Sequence, residues 1–79
     1  VVEVTGGGIV DGDAQSETKN VKVLSSTVSG SITADTEVKL DDATVDGEVY
    51  IDASDFDCTD STINGQDCTA YTPKDPADW

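Results

Sequence analysis

Apolar and polar residues alternate along this chain in short bursts, never in long runs. Val21-Lys22-Val23, Val38-Lys39-Leu40 and the stretch from Val45 through Asp46, Gly47, Glu48, Val49 and Tyr50 to Ile51 show the two-residue rhythm of a strand with one face buried. The bursts are too short and too rich in β-branched residues to be helices. They predict strands of only a few residues, separated by corners.

The bursts recur. Residues 21–30 read VKVLSSTVSG, residues 38–47 read VKLDDATVDG and residues 56–65 read FDCTDSTING, which align without a gap. A looser copy, EVTGGGIVDG, occupies residues 3–12, and Gly12, Gly30, Gly47 and Gly65 follow one another at spacings of 18, 17 and 18. Ile32 and Val49 share an offset after the glycine, which gives each period a further short strand. One turn of a β-solenoid takes about this many residues, each strand stacking on its equivalent in the next turn at about 4.8 Å. Val21, Val38 and Phe56 then form one inward column, Val23, Leu40 and Cys58 a second, and Val28, Val45 and Ile63 a third. An antiparallel sandwich also spaces its strands at 8 to 12 residues or so, but nothing in it makes one side-chain type return at one offset three times.

The expected fold is therefore all-β: a short parallel β-solenoid of about four turns of 17 to 18 residues, with an irregular, disulfide-linked C-terminal cap. Residues 1–68 are read as the turns and residues 69–79, with Tyr71, Pro73, Pro76 and Trp79, as the tail or cap. The ends of such a stack are rows of unpaired backbone groups, which must be capped or must recruit another chain. Gly6-Gly7-Gly8 reads as an insertion or bulge; no helix follows it and no P-loop lysine completes it.

Composition narrows the chemistry. At 79 residues this is one domain, and it buries only about 60% of its unfolded surface, so an extra staple is expected. Cys58 and Cys68, the only two cysteines, supply one: a disulfide would pin the tail to the last turn and contribute roughly 2–3 kcal/mol. The alternative is a reduced core cysteine with an exposed partner. An oxidised pair implies an extracellular or surface-exposed protein, and the absence of Met leads to the expectation of a processed mature form or an excised fragment. No apolar run approaches the roughly 18 residues of a transmembrane helix.

Seventeen acidic residues face four lysines, and the net charge is -13. Such a field repels phosphate backbones and anionic lipid, which argues against nucleic acid and membrane insertion as partners. With no His and no Arg, imidazole catalysis, His-ligated metal and bidentate anion capture are excluded. A pair of carboxylates alone, without a long groove, makes a poor glycosidase, so no enzyme activity is expected.

Part of the acidity is periodic. Glu17, Asp35 and Asp52 share one offset, Glu37 and Asp55 another, and Asp42 and Asp60 a third. Stacked carboxylates repel unless solvent or a cation intervenes, so Asp42, Asp60, Asp52, Asp55 and Asp57 are the candidate ligands for calcium, the one cofactor considered. A solvated face or a high-salt habitat, where the Debye length falls to about 3 Å at 1 M, accounts for the same charge without an ion. Lys39 stacks over Asp57 and Lys22 over Lys39. Thr27, Thr44 and Thr62 form an outward ladder beside Ser29, Asp46 and Asn64, of the kind that binds ordered water or a carbohydrate surface in ice-binding solenoids.

Residues 28–66 carry the units Gly30-Ser31-Ile32, Ala43-Thr44-Val45-Asp46-Gly47 and Gly47-Glu48-Val49, and in these the chain resembles the bactofilins, polymer-forming β-solenoids. The resemblance implies an inert subunit that joins end to end through its solenoid termini. The disulfide and the Trp79 tail depart from that family, most of whose members are cytosolic. The expected function is thus a non-catalytic secreted structural subunit that self-assembles into a filament, coat or appendage, with copies of itself and other surface or coat proteins as partners. The competing expectation is an extracellular module that binds calcium, carbohydrate or ice through the acidic columns or the threonine ladder.

Overall fold

The computed structural model describes residues 2–16 and 19–79. Its strands wind around a three-sided solenoid. On the first face β1 (Val2–Val4), β4 (Val21–Leu24), β7 (Val38–Asp41) and β10 (Phe56–Thr59) stack in parallel. The second face stacks β2 (Ile9–Val10), β5 (Thr27–Val28), β8 (Thr44–Val45) and β11 (Thr62–Ile63), and the third stacks β3 (Ala14–Ser16), β6 (Ile32–Ala34) and β9 (Val49–Tyr50).

The registers are those of the repeat. Val21 pairs with Val38 and Val38 with Phe56; Val23 pairs with Leu40 and Leu40 with Cys58; Val28 pairs with Val45 and Val45 with Ile63. Val2, Val4 and Val10 extend the three columns into the first turn, and Ala14, Ile32 and Val49 make a fourth column on the third face. Strand alternation turns these residues inward, where Val21, Val23, Val28, Ile32, Val38, Leu40, Val45, Val49 and Ile63 are all fully or almost fully buried. Each contributes roughly 1.5–3 kcal/mol of hydrophobic stabilisation, so a core without a large aromatic side chain at its centre still holds.

Two corners repeat with the strands. At the first, Ser25, Asp42 and Asp60 all adopt positive φ, at 51°, 52° and 49°. Beside it Ser26, Ala43 and Ser61 are buried, and the Ser61 hydroxyl donates to the Thr59 carbonyl at 2.8 Å while accepting the Ala43 N–H at 3.0 Å. At the second corner Gly30 donates to the Gly12 carbonyl and Gly47 to the Gly30 carbonyl, at 2.9 and 3.0 Å. A Cβ on Gly30 would lie 2.6 Å from the Gly12 backbone, and one on Gly47 2.6 Å from the Gly30 carbonyl oxygen. The periodic glycines at 30 and 47 therefore answer to close stacking of backbone on backbone, not to a left-handed conformation. The Gly6–Gly8 stretch is the expected bulge: the step from Val4 to Ile9 is one residue longer than that between their register partners Val23 and Thr27.

The solenoid has three complete turns, not the four expected, because the fourth contributes only β10 and β11. After Ile63 the chain reverses through Asn64 and Gly65, at φ 51° and 76°, into β12 (Gln66–Asp67), which pairs antiparallel with β11. Two positive-φ residues between paired strands, Asn then Gly, are the signature of a type I′ hairpin.

Candidate functional site

The hairpin begins a cap over the C-terminal end of the stack. Cys58 on β10 and the buried Cys68, two residues after Gln66, are joined in a disulfide with their Cα atoms 6.3 Å apart. The bond is a mark of an oxidising, non-cytoplasmic environment. The tail then crosses to the third face. Tyr71 lays its ring edge-on to Phe56, with centroids 6.4 Å apart, and its hydroxyl donates to Glu48 and accepts the Val49 N–H at 3.0 Å. Burial first, and then the hydrogen bond to Glu48, raise the phenol from its usual 10.0 to about 12.

Lys74 fills the rung that a fourth strand of the third face would have occupied. It bridges Tyr50 in parallel, its N–H donating to the Val49 carbonyl at 2.9 Å and its carbonyl accepting from Ile51 at 3.1 Å. Two of the three faces thus end covered, the second by β12 and the third by Lys74. On the first face β10 has, among the described residues, only β7 as a strand partner, with the disulfide and the Tyr71 ring beside it.

The opposite end differs. Among the described residues β1 pairs only with β4, β2 only with β5 and β3 only with β6, so each strand of this N-terminal rim presents one edge of backbone N–H and C=O groups. Ile9 is 76% exposed there.

The acidic candidates separate by role. Asp42 and Asp60 hold the positive-φ corner, a conformation that Asp tolerates better than most residues because its short polar side chain can bond locally. Asp52 accepts the Ser54 N–H at 3.0 Å and its hydroxyl at 2.8 Å, and these bonds hold its carboxyl below the usual range. It caps the short 3-10 turn Ala53–Asp55, so Asp55 sits one turn further on, while Asp57 lies on β10 in register with Lys39. The charged file on the first face runs Glu3, Lys22, Lys39, Asp57. Asp67 repeats the Asp52 arrangement with Thr69 and is lowered for the same reason. No cluster of three or more acidic, His or Cys side chains suited to a metal ion occurs among the described residues. Glu17 lies outside them.

The threonine ladder is in register: Thr27 pairs with Thr44 and Thr44 with Thr62, with Ile9 at the rim and Asp67 beyond. The neighbouring file is partly consumed by the protein itself, since the Ser29 hydroxyl accepts the Gly12 N–H at 2.7 Å and Asn64 donates to Glu48 at 3.0 Å. Tyr71 was placed in the cap by the sequence, but its Glu48 partner and the rung filled by Lys74 were not legible there. The signal within reach was the Asn64-Gly65 pair.

No known protein family, curated protein or solved structure matches the chain. The likeness to bactofilins is carried by the solenoid fold alone. Among the described residues no helix is long and apolar enough to cross a membrane.

Proposed function

We propose that this chain is a non-catalytic, extracellular structural subunit that ends a solenoid stack. The observation carrying this reading is the inequality of its two ends. A cap of β12, Lys74 and the disulfide-tied tail closes most of the C-terminal end, and among the described residues the three strand edges of the N-terminal rim have no partner. Three short edges around a prism are matched by another solenoid end and not by one extended peptide. The rim accepts a further turn whichever chain supplies it, and the supplier in this reading is a second copy. Assembly is bactofilin-like in using a solenoid terminus, but the cap stops it after one junction, so two copies joined rim to rim close with two-fold symmetry. A coat or appendage then grows through side faces or other surface proteins.

The charge of -13 fits a saline setting, where screening lets two acidic copies approach. Sedimentation velocity at 1 M salt tests the reading. A dimer is expected at micromolar concentration, weakening as salt is lowered, whereas a monomer at every concentration and salt removes it.

The in-register threonines favour a second reading, a face that orders water or binds a crystalline carbohydrate. Ice-shaping by the purified protein, lost on Thr44→Val, would support it; unshaped crystals would eliminate it.

A further inference from the structure

The last residues of the tail do more than close the stack. Beyond Lys74, Asp75 accepts the Ala77 N–H at 2.9 Å and caps the 3-10 turn Pro76–Asp78, which delivers Trp79 to the third face. Its ring meets Tyr50 edge-on, with centroids 5.3 Å apart at 80°, and the residue remains 44% exposed. Between this tail and strands β3 and β6 lies an open groove of about 240 Å³, lined by Gln15, Ser16, Thr33, Ala34, Asp35, Pro76 and Trp79.

The polar groups of the groove divide into used and unused. The Thr33 hydroxyl donates to the Tyr50 carbonyl at 3.1 Å and the Ser16 hydroxyl accepts the Lys19 N–H at 3.3 Å. Among the described residues the Gln15 amide and the Asp35 carboxylate make no side-chain hydrogen bond, and both residues are exposed. An indole, a carboxylate and an amide thus line one concavity in a protein whose overall charge is -13. An indole carries negative potential on its face and attracts a cation, best of all one whose charge is spread over methyl groups and is weakly hydrated. The acidic field draws cations toward the surface and repels anions. A neutral sugar gains from neither.

We infer that the groove between Trp79 and β3–β6 is a binding site for a small organic cation of the quaternary ammonium class, its methyl groups against the indole and its charge beside Asp35. The Lys19 carbonyl accepts the Asp35 and Thr36 amides at 3.1 and 3.3 Å, which anchors a lysine on the same corner as that carboxylate. The inference is independent of how copies assemble.

Trp79 is the only tryptophan in the chain, so its fluorescence reports on this groove directly. The test is a titration with choline at low ionic strength beside one with 3,3-dimethyl-1-butanol, which has the same shape without the charge. Saturation by choline is expected at a dissociation constant on the order of millimolar, with the neutral analogue at least about tenfold weaker. Asp35→Asn should weaken choline about threefold or more, and Lys19→Gln should tighten it. Equal responses to the two compounds, or a linear response with no saturation, overturn the site; so does an Asp35→Asn variant that folds and binds choline unchanged.

Discussion

Gly30 and Gly47 show how a single residue type sets the spacing of the stack. Each N–H reaches straight down to the glycine carbonyl of the preceding turn, leaving no room for a Cβ. Gly47→Ala should cost about 1–3 kcal/mol through backbone displacement, read as a lower urea midpoint with little change in slope. The Ser25, Asp42 and Asp60 corner works the other way, demanding positive φ of residues that have a side chain. Asp60→Val should lose roughly 1–2 kcal/mol, whereas Asp60→Asn stays within about 0.5 kcal/mol by the same measurement. These positions were visible in the sequence as periodic glycines, where a Cβ is costly, and as periodic aspartates, but the contact or conformation behind each was not. A spacing of 17 or 18 says that residues stack; it does not tell a contact too close for a Cβ from a turn that needs positive φ. Asp42 and Asp60 accordingly looked like paired ligands, although a backbone conformation accounts for their recurrence.

Among elements, the stacked strands and a disulfide-linked C-terminal cap were legible, and the cap's fastenings to the strands were not. The inward columns of Val, Leu and Ile pair as the alignment placed them, because a one-residue slip would turn every one of them to solvent. The fourth turn stops short because Asn64-Gly65 is not another periodic corner but a two-residue hairpin that turns the chain back on itself. Tyr71 and Lys74 lie outside the repeat, and no period points to a partner for them. Tyr71→Phe should cost about 1–2 kcal/mol by leaving the Val49 N–H without its acceptor. The same hydroxyl gives the cap an alkaline limit. The folded phenol titrates near 12 and the unfolded one near 10.0, so its contribution is complete below pH 10 and disappears as the pH rises toward 12. A pH series of unfolding midpoints should show that loss in the native chain and not in Tyr71→Phe. For Asp52 and Asp67 the sign is reversed: their turns hold above the ordinary carboxylate pKa of 3.8 and weaken as the pH falls through the lowered values.

At the scale of the whole molecule, a three-turn stack with a thin core depends on its one covalent tie. Reducing Cys58–Cys68 should remove about 2–3 kcal/mol, equivalent to roughly 10–20 °C in melting temperature for a domain of this size, which calorimetry with and without a phosphine reductant would register. The short length and the two cysteines forecast that tie from the sequence, since so small a core rarely suffices alone. A tail outside the repeat already set the two ends apart, but which rungs it covers was not legible, because residues beyond the period carry no register; the fold supplies the full difference between a covered end and an open one. That difference underlies the proposed role, and amide hydrogen exchange followed as protein concentration rises tests it most directly. Slowing of exchange confined to β1, β2 and β3, with β10, β11 and β12 unchanged, is the expected result; no dependence on concentration, or slowing at the capped end, would contradict it.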